Sequence, residues 1–388
     1  MKPIHYLTLY CFFTHGTMSA ARVLVALYAV HMQSTPFLVG ALVSLFALVP
    51  MLGSVQFGRL ADRTRARGPL LVFTLLTSAG MLVPFFWEHT AALLITGAAV
   101  GGTYGVTNIF TASLAGRHGG QAQRSVNFSW IGIGISAANG AGPLIAGLAI
   151  DHIGFAAATL VIACMPLLAM PLILFRLLPG LDTQPAQPKA GDKRGKITDL
   201  LFHRDMFPVY LMGVLFMLAY DIFIVMTPVY GAQLQLSASV IGTIMSTFSV
   251  AVFAMRAVAG PVSRAWTPWQ VMLMSLALSA VSLVAYGFVH SVPLLMICAF
   301  VMGVGNAFAT PMSQSELVTA SPPGRNSEAL GLRFSVGMGC QFVLPLAAGS
   351  AASFVGVEPL FWLVGILLAF GGWRERHRWG QQRSGTAS

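Results

Sequence analysis

The chain has 388 residues and a formal net charge of +10, with 56% of its side chains apolar and only 9% charged. A soluble domain carries about 25% charged residues, and a water-soluble fold of this length could not cover its surface with so few. The composition excludes that class and points to a helical protein that crosses a bilayer many times, because only closed hydrogen-bonded elements survive in lipid and about 20 apolar residues reach across as a helix. The basic balance is no sign of a nucleic-acid partner, since Lys and Arg confined to segments between spans report topology rather than a phosphate-binding face.

Twelve spans are predicted in chain order: 7–30, 37–58, 70–88, 91–114, 127–150, 155–178, 207–231, 239–262, 269–289, 292–315, 329–354 and 357–373. The first resembles a secretory signal in that Lys2 precedes an apolar run and Ser19-Ala20-Ala21 would pass as a cleavage site. It is longer than such a region, however, and carries His15 and Arg22. Arg22, Arg256 and Arg333 lie within spans. Every other Lys and Arg falls at Lys2, in the 59–67 loop, at Arg117 and Arg124, in the 176–204 linker, at Arg264 and Arg325, or in the tail from Arg374. The alternate loops (31–36, 89–90, 151–154, 232–238, 290–291 and 355–356) contain none. This segregation predicts both termini in the cytoplasm and a multi-pass protein of the cell membrane, taken as a bacterial inner membrane.

Cys11, Cys164, Cys298 and Cys340 fall in apolar runs without paired spacing, which predicts four buried thiols rather than disulfides or a zinc site. The histidines (His5, His15, His31, His89, His118, His152, His203, His290 and His377) show no metal-ligand spacing, so neither a metal nor a cofactor is expected. No Walker loop suggests ATP-driven work.

The loop after the second span reads Gly58-Arg-Leu-Ala-Asp-Arg-Thr-Arg-Ala-Arg67. Its Gly-x-Leu-Ala-Asp-Arg wording resembles the loop between helices 2 and 3 of the major facilitator superfamily of secondary transporters. The family pattern continues Gly-Arg-Arg/Lys; here Arg65 replaces the glycine, Ala66 the first arginine, and Arg67 keeps the last basic position. The resemblance implies an all-α fold of twelve transmembrane helices in two parallel six-helix repeats around a central cavity. It also implies that Gly58 lets helix 2 approach helix 11, and that Asp62 meets the N-terminal end of helix 11 with Arg63 or Arg67 nearby.

A repeat is visible independently. Sliding the chain by 202 residues matches Gly40 to Gly242, Ser44 to Ser246, Phe46 to Phe248, Gly58 to Gly260, Gly101 to Gly303, Pro143-Leu144 to Pro345-Leu346, and Ala146-Gly147 to Ala348-Gly349. The polar 176–206 stretch divides the two sets of spans. The domain reading is an N-terminal bundle over 1–178, a cytoplasmic linker over 179–206, a C-terminal bundle over 207–373 and a cytoplasmic tail over 374–388.

Polar side chains inside spans are costly and usually face a cavity or another helix. Tyr104, Asn108 and Thr111 share one helical face, and the offset places Asn306, Thr310 and Ser313 at the matching positions. His15, Ser19 and Arg22 share a face of the first span, and Asp221 matches Ser19. The resemblance implies that spans 1, 4, 7 and 10 line the substrate cavity; interhelical hydrogen bonding is the alternative for Ser19, Thr111 and Ser313. Asp221 lies about 20 Å from the cytoplasmic end at 1.5 Å per residue, where a carboxylate must be protonated, paired or hydrated. Arg22, at a comparable height, is its candidate partner, either as a switch or as a static pair. Arg333 is a candidate gate beside Glu328, while Arg256 reads as snorkelling.

The fifth span holds Gly132, Gly134, Gly140, Gly142-Pro143 and Gly147, resembling the Gly-Pro-x-x-Gly-Gly pattern of facilitator antiporters, with Ala146 for the first final glycine and Ala138 for an earlier one. Drug/proton antiporters usually carry an arginine in helix 4, whereas 91–114 contains no charge. The expectation is a secondary transporter of a small organic solute, by proton-coupled efflux, working as a monomer in the bilayer. A proton-linked importer or sugar-type effluxer of the same fold is the alternative. An embedded enzyme would need a catalytic constellation that these residues do not offer, and a channel fits the two unequal halves less well.

Overall fold

The computed structural model describes residues 3–118, 120–183, 206–257, 262, 265–321 and 326–376. Among these residues thirteen helices follow in order: α1 Pro3–His31, α2 Pro36–Arg63, α3 Arg67–Phe86, α4 Thr90–Arg117, α5 Gly120–Leu167, α6 Met170–Leu174, α7 Phe207–Gln233, α8 Ala238–Ala257, α9 Pro268–Tyr286, α10 Val292–Ala307, α11 Ala309–Ala320, α12 Asn326–Val355 and α13 Val357–Glu375. Among the described residues ten helical stretches are long and apolar enough to cross a membrane. One of them runs through Gly154, whose backbone (φ 81°, ψ 170°) turns the chain, so α5 contains two crossings. The apolar run of α1 is diluted by Thr14, His15, Thr17, Ser19 and Arg22, and α1 completes the twelve.

Three boundaries depart from the sequence reading, each for a local reason. Helix α2 continues through Gly58 and Asp62 to Arg63, so most of the predicted 59–67 loop is the last turn of a helix; Thr64 ends it with its N–H and Oγ1 both on the Leu60 carbonyl. The sixth crossing stops at Leu167 because Pro171, four residues on, has no N–H for the Leu167 carbonyl. Likewise Pro311 offers nothing to the Ala307 carbonyl, and the tenth crossing breaks at Phe308 into α10 and α11. The predicted burial of all four thiols also fails: Cys11 is buried, Cys298 and Cys340 are half-buried, and Cys164 is exposed on an apolar helix.

The chain forms two compact units, one of Met1–Ala190 with Gly231–Ser246, the other of Gly191–Tyr230 with Thr247–Ser388. The tip of the α7–α8 hairpin thus belongs to the first unit and the remainder of both helices to the second. In the first unit a core of Leu7, Tyr10, Leu70, Phe110, Leu114 and Ile173 ties α1, α3, α4 and α6 together. Tyr10 and Thr74 hydroxyls meet at 2.9 Å within it, and Thr77 and Thr103 at 2.7 Å. The second unit holds a chain of ring contacts: Tyr286 meets Phe361 edge to face at 5.1 Å and Phe223 edge to face at 5.8 Å, and Phe223 stacks on Phe248 at 5.1 Å.

The 202-residue offset reappears in backbone detail. A Cβ on Gly101 would strike the Phe46 backbone, and one on Gly303 would strike that of Phe248, so the matched glycines serve matched helix crossings. Thr96 donates to the Gly80 carbonyl at 2.9 Å. At the matching positions Ser282 donates to the Cys298 carbonyl at 2.6 Å, the same bridge with donor and acceptor exchanged. Gln33 and Gln235 both sit at positive φ (58° and 56°), closing identical helix ends. Thr35 and Ser237 then receive the N–H groups of Leu38 and Val240, each at 3.4 Å.

Candidate functional site

Two polar clusters sit inside the crossings, one in each unit. In the first, His15 of α1 is 7% exposed. The Tyr104 hydroxyl of α4 lies 3.1 Å from its Nδ1, with the two rings edge to face at 4.8 Å. Asn108, one turn further along α4, approaches the same imidazole. Among the described residues Nε2 makes no hydrogen bond of good geometry. Thr111 donates within α4, to the Thr107 and Asn108 carbonyls.

Ser19 and Arg22 are half-buried along the same helix. Ser19 packs at a close approach of α5: a Cβ on Gly142 would lie 2.8 Å from Ser19 Cβ and 2.8 Å from the Gly16 carbonyl oxygen. The rest of the α5 motif faces elsewhere. Gly147 lies against the Ala238 carbonyl and Gly242 against that of Pro143, so Pro143 and Gly147 form a flat contact with α8. Ser246 closes it by donating to the Gly140 carbonyl at 2.6 Å.

In the second unit Asp221 is buried in α7, 4% exposed. Asn306 of α10 donates to the Phe216 carbonyl of α7 at 3.4 Å. It therefore bridges the same two repeat positions that Tyr104 and His15 bridge, shifted by one residue. Thr310 is exposed beyond the break at Phe308, and Ser313 is buried with its hydroxyl on the Thr310 carbonyl. Arg333 of α12 is half-buried, and its Nε has no hydrogen bond among the described residues.

The proposed gating residues are placed less fully. The side chains of Asp62, Arg256 and Glu328 lie outside the described residues. Among the described residues nothing lies within 4 Å of the position a Cβ would take on Gly58. Arg63 is exposed, and Arg67 is fastened within its own unit, its N–H on the Leu181 carbonyl at 3.3 Å and its guanidinium on that of Leu174 at 3.4 Å. Two groups that the sequence reading passed over hold this end together. Arg117 donates to the Ala61 carbonyl at 3.3 Å, and buried Asn127 donates to those of Ala115 and His118.

The family model of the Major Facilitator Superfamily matches residues 7–233 and 209–378. The chain belongs to that superfamily: it is a multi-pass membrane protein with the fold of its transporters. Solved structures with the same fold include a POT family transporter in complex with 5-aminolevulinic acid, 14% identical with a TM-score of 0.79 over 95% of this chain and 94% of that one. Another is a POT family transporter in complex with a thioalcohol conjugated peptide, 13% identical, TM-score 0.77, covering 95% and 94%. A third is a mutant of the nucleoside transporter NupG, 14% identical, TM-score 0.78, covering 96% and 99%. No curated protein matches the sequence.

Proposed function

We propose that this protein is a secondary transporter, not an enzyme, that carries a small organic solute out of the cell in exchange for protons. It works as a monomer in a bacterial inner membrane with both termini cytoplasmic. The observation that carries the reading is the buried His15, bonded to Tyr104 on one nitrogen and without a well-formed hydrogen bond on the other among the described residues, in a protein of a transporter family. A polar atom kept dry without a partner costs about 1–3 kcal/mol, and a passing solute relieves that cost. His15, Ser19, Tyr104 and Asn108, and Asn306 and Thr310, would be the residues that receive the solute. Asp221 would carry the coupling proton and Arg22 would act as its counter-charge. The glycine-proline sequence of α5 supports outward movement by its resemblance to antiporters. Gly58, Asp62, Arg63, Arg67, Glu328 and Arg333 would make the cytoplasmic gate, with the two bundles and the linker divided as the sequence suggests.

A proton-linked importer or sugar-type effluxer is the second reading, and one observation favours it: α4 carries no charge before Arg117. The test is flux in everted and right-side-out vesicles, with and without a pH gradient, for uridine, a dipeptide and 5-aminolevulinic acid. Gradient-dependent accumulation in everted vesicles supports efflux, and accumulation only in right-side-out vesicles replaces it with import. No flux in either removes both.

A further inference from the structure

Asp151 lies in the turn between the two crossings of α5, exposed and outside the polar clusters. Its carboxylate accepts two successive backbone N–H groups from the start of α8, Ala238 on Oδ1 at 3.0 Å and Ser239 on Oδ2 at 2.8 Å. The next amide, Val240, goes to the hydroxyl of Ser237, the helix's own cap. The first three donors of α8 are therefore shared between a local residue and a carboxylate 87 residues away. An anion at a helix N-terminus gains from the aligned peptide dipoles as well as from the hydrogen bonds.

What lies beside this contact matters as much. Between Asp151 and Ser246 the faces of α5 and α8 meet through Gly147, Gly242 and backbone carbonyls, and the Ser246 hydroxyl reaches across to the Gly140 carbonyl. Small residues let the two helices meet here along their backbones. Asp151 is exposed, so water can take over its hydrogen bonds when it lets go. The offset of 202 gives Ser353 as its counterpart, so the charged clasp is present in one repeat only. The segment it holds, Gly231–Ser246, is also where the α7–α8 hairpin leaves the second unit for the first.

We infer that Asp151 is a releasable clasp that fastens the tip of the α7–α8 hairpin to α5, and that the transport cycle opens and remakes it. The inference rests on the transport reading above. A purely structural cap would be made once and kept; a clasp must come undone at each turnover.

Two arms test it in the full-length protein in liposomes. Asp151→Asn and Asp151→Ser should speed amide hydrogen exchange in the first turn of α8 at least tenfold while leaving α9 unchanged; unaltered exchange overturns the contact. In a chain whose native cysteines are replaced, Asp151→Cys with Ser239→Cys should crosslink on oxidation and stop flux of the solutes named above, and reductant should restore it. Each single-cysteine variant under the same oxidant is the control. A pair that fails to crosslink, or a crosslinked protein with undiminished flux, overturns the clasp. If the parent protein moves none of those solutes, the transport reading fails and the clasp's role in a cycle with it. The exchange arm then reads the bare helix cap separately.

Discussion

Gly154 and Gly356 stand 202 residues apart and share one rare backbone conformation, φ 81° and ψ 170° in the first and φ 90° and ψ 175° in the second. Each turns the chain between a long crossing and the next, at matching places in the repeat. That region of backbone space is essentially closed to residues with a Cβ. At Gly154 the Cβ position is open, and at Gly356 the nearest atom is 3.6 Å away, so strain rather than crowding decides the outcome. Gly154→Ala and Gly356→Ala should each cost about 1–3 kcal/mol, by similar amounts, read as lowered thermal unfolding in detergent. A large difference between them would mean that the two turns are not equivalent.

The matched crossings offer a second comparison. Gly101→Ala and Gly303→Ala both drive a methyl group into a neighbouring backbone, at Phe46 and Phe248, which cannot move aside as a flexible side chain would. Each should lose about 1–3 kcal/mol by overpacking. Gly58→Ala, whose added methyl meets nothing within 4 Å among the described residues, should leave folding unchanged. Size-exclusion profiles and melting temperatures of the three variants check this ordering.

Tyr104→Phe removes the hydroxyl that engages His15 and leaves an imidazole with neither nitrogen well bonded. It should destabilise the protein by about 1–3 kcal/mol and reduce flux. The double variant with His15→Leu, which removes the orphaned ring, should regain stability without regaining flux. Recovery of both would show that the pair is structural only.

Arg22 is proposed as the counter-charge of Asp221. Removing one partner of a buried pair leaves an uncompensated charge and is worse than removing both. Arg22→Ala should therefore lower membrane insertion and melting temperature more than Arg22→Ala combined with Asp221→Ala does. Simple additivity of the two single variants in a stability cycle would mean that the side chains act independently.

The crossings were legible in the sequence because a helix needs about 20 apolar residues to reach across lipid, and clusters such as Arg59 to Arg67 mark where such runs end. The offset was legible where it preserved residue identity, as at Gly101 and Gly303. It was hidden where only geometry is preserved, as at Gly80 and Thr96 against Ser282 and Cys298, where the hydrogen bond survives with its ends exchanged. Pro171 and Pro311 were in plain view and their effect on the helices four residues earlier follows from a missing N–H. Asp151 was not visible, since its partners are backbone amides of Ala238 and Ser239, and backbone groups leave no trace in a residue pattern. The polar residues of α1 and α4 were readable as a stripe; that His15 keeps one nitrogen open was not.

Asp221 carries the central claim, because coupling to protons separates a driven transporter from a passive one. Asp221→Asn replaces a buried carboxylate with a neutral side chain of the same shape but leaves half-buried Arg22 without its proposed counter-charge, so flux is compared per amount of folded, inserted protein. The decisive measurement is flux in proteoliposomes of wild type and Asp221→Asn, as solute exchange without a gradient and as accumulation driven by a pH gradient. The account predicts that the variant keeps exchange and loses gradient-driven accumulation. Full gradient-driven accumulation by Asp221→Asn would contradict it.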